Sequence, residues 1–336
     1  MPSSSIIWLM SPSSMAASLS PTSHERTQPV RFALLADSRT GSTWVNHVLS
    51  SHPCIVSSDE YLMSRMELIP RFHRDASSVA EVLRNITEHG SRLLHRRMLT
   101  SALAARCVHT AAGVKLKTSH RDVLFSEGGN ARMVIRQMRK LGWRLIVLQR
   151  RNALDGVLAR QSRVATNQLH CYVATCAPFS LNGTFTLPCA KTVTTMNTFE
   201  QTNRLIDNAF STGNAFTLRL DYERLLHSSA GFNNAMRLLG FSNADACLLR
   251  EEHVKRVQQT QREMIRNFDD LARCLHAAGP QLERHLHADA RPPFSGPLPI
   301  ESIDSCPNET HRDPRSSGVA KHRAAGSALA ALRNGM

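Results

Sequence analysis

The chain has 336 residues and a formal net charge of +14, from 41 Lys and Arg against 27 Asp and Glu. A hydrophobic share of 42% can build a core and excludes a mostly disordered chain, while an aromatic share of 5% leaves little for a stacking platform on single-stranded nucleic acid. The longest apolar runs, such as Phe32–Ala36 and Leu145–Leu148, fall far short of the ~18–20 residues that cross a bilayer, so no transmembrane segment is expected.

Residues 1–29 are rich in Ser and Pro, and their first acidic residue is Glu25. That composition is read as a disordered or cleaved targeting segment whose destination stays open: cytoplasm, organelle or secretory lumen. Phe32–Ala36 then reads as a buried strand and Thr43–Ser51 as a helix, with His52 packing at its end. Val114–Lys117 is a further strand after Gly113; its Lys115 and Lys117 alternate, so that only one is expected to face a cleft. A helix runs from Asn130 to Leu141-Gly142, followed by a strand at Arg144–Leu148 and a helix at Asn152–Arg163 capped by Asn152. Phe216–Leu220 is a strand, Tyr222–His227 and Asn233–Leu239 are helical, and Ile265–Ala277 is the last helix. From residue 289 on, Pro-Pro and Gly-Pro steps without periodicity mark a mobile tail. The domain itself spans residues 30–288.

The basic excess belongs to that domain, because the first thirty residues are neutral overall and the tail is nearly so. A basic body suits an anionic ligand or simply aids solubility. Eight Cys include a cluster of Cys171, Cys176 and Cys189, in which a Cys171–Cys176 disulfide would fit; no CxxC pair or zinc spacing occurs, and no metal is expected.

Strands alternating with helices imply an α/β fold, a mostly parallel sheet with helices on both faces. Ligands of such sheets sit at the carboxyl ends of the strands. There, after the first strand, stands Asp37-Ser38-Arg39-Thr40-Gly41-Ser42-Thr43-Trp44. Gly41 permits a tight turn, Ser42 and Thr43 offer hydroxyls, Arg39 adds a cation, and a helix start presents free N–H groups to an anion. The other reading is an ordinary capped turn. No Gly-Lys-Ser/Thr closes it, so it is not a Walker A loop.

Arg39-Thr40-Gly41-Ser42-Thr43-Trp44 resembles the 5′-phosphosulfate loop of sulfotransferases that use 3′-phosphoadenosine 5′-phosphosulfate (PAPS). Leu49-Ser50-Ser51-His52-Pro53 and Ser58-Asp59-Glu60-Tyr61-Leu62 are similar to the same family, nearest to its carbohydrate and glycolipid branch, including the trehalose sulfotransferase type. Gly113–Lys117, Leu218–Leu225 and Glu252–Lys255 follow in family order. The resemblance implies a P-loop-NTPase-like sulfotransferase fold. It also implies PAPS as sulfuryl donor, held by Arg39, Thr40, Gly41, Ser42, Thr43 and Trp44, with Arg151 at the 3′-phosphate and Lys255 in the segment that closes over the nucleotide. The family's Ser eight residues after that Arg is Ala159 here, with Arg160, Gln161 and Ser162 as substitutes in reach.

Sulfuryl transfer to a hydroxyl needs a base for the acceptor proton. Glu60 is the first candidate and His120 the second; Tyr222 and Glu223 read as architectural. The resemblance implies a carbohydrate, glycolipid or related hydroxyl as acceptor, whose contacts are expected from the loops Leu62–Asp75 and Cys171–Thr195; no nucleic acid is expected as partner. Two other functions compete on the same fold: a P-loop-like kinase using ATP, and a non-catalytic polyanion- or RNA-binding protein.

Overall fold

A strand covered on both faces can be apolar along its whole length, and the short apolar runs of this chain fold in that way. The computed structural model describes residues 28–59, 75–118, 131–166, 181, 183–210, 215–242, 245, 248–249 and 259–286. Within them β1 (Val30–Ala36), β2 (Ile55–Ser58), β3 (Ala111–Lys117), β4 (Arg144–Gln149) and β5 (Thr217–Asp221) form a five-stranded sheet. The order is β2-β3-β1-β4-β5 and every pairing is parallel. The helices are α1 (Ser42–Ser51), α2 (Ala76–Thr100), α3 (Ala102–Ala105), α4 (Ala131–Lys140), α5 (Ala153–Thr166), α6 (Cys189–Ala209), α7 (Tyr222–Leu225), α8 (Ala230–Leu238), α9 (Gln261–Met264), α10 (Phe268–Ala278) and α11 (Pro280–Glu283).

Alternation along β1 splits the core in two. Phe32, Leu34 and Ala36 pack with α1 and α8 on one face; Ala33 and Leu35 pack with α2, α4 and the end of α6 on the other. α5, α6, α9, α10 and α11 bury a third cluster around Leu154, Met196, Phe199 and Leu275. The α/β expectation therefore holds, with shifts at element ends. The last helix starts later than expected, at Phe268 instead of Ile265, because Ile265 pairs with Phe185 in an isolated parallel bridge; α9 precedes that bridge. Part of Cys171–Thr195, expected as an acceptor loop, is helix from Cys189 onward.

Lys115 and Lys117 require a correction. Residues two apart on a strand share a face, so both lie on the α1 side of β3.

Among the described residues two disulfides staple distant segments: Cys54–Cys107, 53 residues apart, and Cys189–Cys274, 85 apart. Loops of this length lose about 4–5 kcal/mol of unfolded-state entropy per bridge in the chain-entropy model. Cys189 thus pairs with α10, and Cys171 and Cys176 lie outside the described residues.

His52, at the end of α1, is 1% exposed and packs against Phe241; its Nδ1 accepts from the Cys54 N–H at 3.1 Å. Burial pushes its pKa down to about 4, with Arg97 adding to the effect and Asp245 opposing it. A base with a depressed folded pKa leaves the unfolded chain holding more protons at intermediate pH. Stability is then full above the unfolded value near 6.5 and declines as pH falls toward 4. Melting curves between pH 7 and pH 4 should show this loss, and it should shrink in His52→Gln; equal slopes in both proteins would exclude His52 as its source.

Candidate functional site

β1 and β4 are neighbours, yet the chain leaves β1 for the edge strand β2 and leaves β4 for the opposite edge, β5. Their following loops part, and the crevice between them is where such sheets bind ligands. The loop after β1 is built for a close approach. Arg39 has φ 67 and Gly41 φ 82, both left-handed, with Thr40 between them outside that region. The left-handed turn at Arg39 costs about 1–2 kcal/mol in a non-glycine residue. Alternation of this kind turns successive N–H groups to one side. Gly41 is obligatory for a second reason: a Cβ there would run into the Tyr222 ring. Thr40 is 1% exposed and donates its hydroxyl to the Asp37 carbonyl at 2.8 Å, so its side chain shapes the loop. Trp44 packs edge-on against Tyr222 and Phe232, which fixes its ring beneath the loop.

The two strand–loop–helix units differ at their helix starts. α1 begins at Gly41 with no side-chain cap and no acidic residue in its first turn. The start of α5 is filled. Glu223 accepts from the N–H groups of Arg151 and Asn152 at 3.0 and 2.9 Å, Asn152 accepts from Asp155 at 2.9 Å, and His285 Nδ1 accepts from Ala153 at 3.3 Å. Glu223 is thus architectural, as expected, and the open terminus is that of α1.

The basic pair after β4 separates by role. Arg150 is 9% exposed and turns toward the first loop: Nη1 donates to the Arg39 carbonyl at 3.2 Å, Nη2 lies 3.5 Å from Asp155, and the guanidinium stacks 4.8 Å from the Tyr222 ring centroid. Its Nε is buried with no partner among the described residues. Asp155 is held in turn by Gln261 at 2.9 Å. Arg151 is engaged elsewhere: its Nε meets Asp221 at 2.9 Å and its Nη1 meets Asp207 at 3.0 Å. Of the substitutes for the missing Ser, Arg160 reaches the loop, 3.5 Å from the buried Asp37, while Ser162 donates to the Leu158 carbonyl at 2.8 Å.

On the other side of α1, Lys115 is 2% exposed, donates to Thr43 Oγ1 at 3.0 Å and pairs with Asp59 at 2.9 Å. Asp59 also accepts from Asn46 at 3.0 Å and lies 3.4 Å from His47. Burial works to raise the Asp59 carboxyl. The hydrogen bond of His47 and the charge and hydrogen bond of Lys115 outweigh it and hold the group well below the usual carboxylate range.

The structure therefore gathers Arg39, Thr40, Gly41, Ser42, Thr43 and Trp44 in one loop, while the Arg151 side chain pairs with Asp207 and Asp221. Glu60, His120 and Lys255 lie outside the described residues. Sequence reasoning missed Arg150 and Asp59 and left Lys115 without a role. For Arg150 the sequence does carry a signal, two Arg side by side after the strongest strand, but not which of them turns inward.

No family model matches the chain, and no curated protein matches it at a significant level. The solved structures to which it is similar include two sulfotransferases. One is the sulfotransferase domain of the Synechococcus PCC 7002 olefin synthase, at 16% identity, covering 65% of this chain and 76% of that one, with a TM-score of 0.33. The other is the sulfotransferase of Alicyclobacillus acidocaldarius, at 12% identity, covering 78% of this chain and 97% of that one, with a TM-score of 0.37.

Proposed function

We propose that this protein is a sulfotransferase that moves a sulfuryl group from PAPS to a hydroxyl of a carbohydrate, glycolipid or related acceptor. The observation that carries the reading is the uncapped start of α1 behind a twice left-handed loop, beside a plugged α5. Helix N–H groups without an internal acceptor are suited to an anion. The residues present fit such a donor: Arg150 Nε is a buried cationic hydrogen-bond donor with no acceptor among the described residues, and an anionic donor supplies one.

PAPS supplies the sulfuryl group and leaves as adenosine 3′,5′-bisphosphate. The N–H groups of the first turn of α1, with the hydroxyls of Ser42 and Thr43, hold the anionic centre and stabilise the charge that builds on the leaving phosphate. Preorganised donors of this kind are worth ~3–4 kcal/mol each. Arg39 and Arg150 flank it, Arg151 and Lys255 serve the rest of the nucleotide, and Glu60, or else His120, takes the acceptor's proton as the new oxygen–sulfur bond forms.

Calorimetric titration with adenosine 3′,5′-bisphosphate, 5′-AMP and ATP tests the reading. The bisphosphate should bind about tenfold or more tighter than 5′-AMP, since a second phosphate adds charge-assisted contacts. Tighter binding of ATP than of the bisphosphate would instead favour a kinase.

A further inference from the structure

We infer that Lys115 is a positioning residue whose task is to make Thr43 a one-way hydrogen-bond donor toward an oxyanion at the start of α1. The inference rests on the anion-loop reading above and adds a residue and a direction to it.

A threonine hydroxyl has one proton to give and two lone pairs to receive with; a lysine ammonium has three protons and no lone pair. In the 3.0 Å contact between Lys115 Nζ and Thr43 Oγ1, Lys115 must therefore be the donor and Thr43 the acceptor. The Thr43 proton is then turned away from Lys115. Helical threonines commonly spend that proton on the carbonyl four residues back, as Thr192, Thr194, Thr195, Thr198 and Thr202 all do in α6. Thr43 is the second residue of α1, so the carbonyl four residues back belongs to left-handed Arg39 in the loop, where Arg150 already donates. Among the described residues the Thr43 proton has no acceptor. It is a donor held in reserve at the terminus where α1 lacks a cap.

The charge that fixes it is itself fixed. Lys115 is almost wholly buried, and Asp59 balances it at 2.9 Å. Asn46 donates to Asp59 at 3.0 Å, and Ser57 donates to the Asn46 oxygen, which sets the amide's orientation. One chain of contacts thus runs from β2 through α1 and Asp59 to β3 and returns to α1 at Thr43. A buried neutralised pair at such a place orients a dipole without adding net charge beneath the anion.

A double-mutant cycle read by calorimetry with adenosine 3′,5′-bisphosphate tests this. Thr43→Val should weaken binding by roughly 10–100-fold, the loss of a hydrogen bond to a charged group. Lys115→Met should cost a similar factor in wild type and close to nothing in the Thr43→Val background; Thr43→Ser should retain affinity. Full, multiplicative losses would overturn the inference, because Lys115 would then act on the ligand or on the fold by another route. Removing one charge of a buried pair endangers folding, whereas removing both is tolerated better. Should Lys115→Met not fold, Asp59→Asn and Lys115→Met are introduced together, in wild type and in the Thr43→Val background, and the same two outcomes decide. If wild type binds ATP in preference to the bisphosphate, the sulfotransferase reading falls while the cycle, repeated with ATP, still decides for Thr43. Binding of neither ligand overturns both.

Discussion

Arg150→Met should weaken binding of adenosine 3′,5′-bisphosphate by about 2–5 kcal/mol, or roughly 30-fold to several thousandfold. Three contacts already fix this guanidinium: the Arg39 carbonyl, Asp155 and the face of Tyr222. None of them uses Nε, which is buried and has no partner among the described residues. A ligand oxygen there meets a charge whose desolvation was met on folding, so little of the gain is lost to reorganisation. Arg151→Met supplies the contrast. That side chain is 43% exposed and shared between Asp207 and Asp221, and it must give up a carboxylate before it can hold a phosphate. Its loss should change bisphosphate affinity less than the loss of Arg150. Calorimetry with the bisphosphate and with 5′-AMP separates them. A selective loss of the 3′-phosphate preference in Arg151→Met, with Arg150→Met binding normally, would restore Arg151 to the place that the sequence motif gives it and leave Arg150 a structural role.

The same pair shows what the sequence can carry. β1 and β4 are legible because a strand buried on both faces writes an unbroken apolar run, and Phe32–Ala36 and Leu145–Leu148 are such runs. β2 is four residues long and half polar, Ile55 to Ser58, and is held by pairing with β3 rather than by its own pattern. α2 does carry a pattern, Val79, Val82, Leu83, Ile86 and Leu94 buried along one face and Asp75 capping Ser77 and Ser78. Strand order lies beyond any local pattern, and with it the fact that β1 and β4 part. The loop chemistry is legible in Gly41, Ser42 and Thr43. Its supports are not, because Lys115 is 72 residues from Thr43 along the chain, and Asp59 and Lys115 meet only once β2 has paired with β3.

Asp59 also bears on the base, for which two adjacent carboxylates compete. A general base works best with a pKa near the operating pH. Lys115 and His47 hold Asp59 far below that; its Oδ1 already meets both Lys115 and Asn46, and its Oδ2 lies 3.4 Å from His47. Asp59 is therefore an anchor, and the proposed base remains Glu60, the next residue, which the family resemblance also favours. Glu60→Gln keeps the side chain's size and removes the proton acceptor. Turnover with a hydroxyl acceptor at saturation should fall by roughly 10²–10⁴-fold, the usual contribution of a positioned base. Bisphosphate affinity should hardly change, because the base serves the acceptor and not the nucleotide. Asp59→Asn should do the reverse, weakening nucleotide binding and thermal stability by leaving Lys115 buried without its counter-charge. Measured together, the two variants separate chemistry from anchoring. Undiminished turnover in Glu60→Gln would remove Glu60 as the base, and a loss of the same size in His120→Gln would then put His120 in its place.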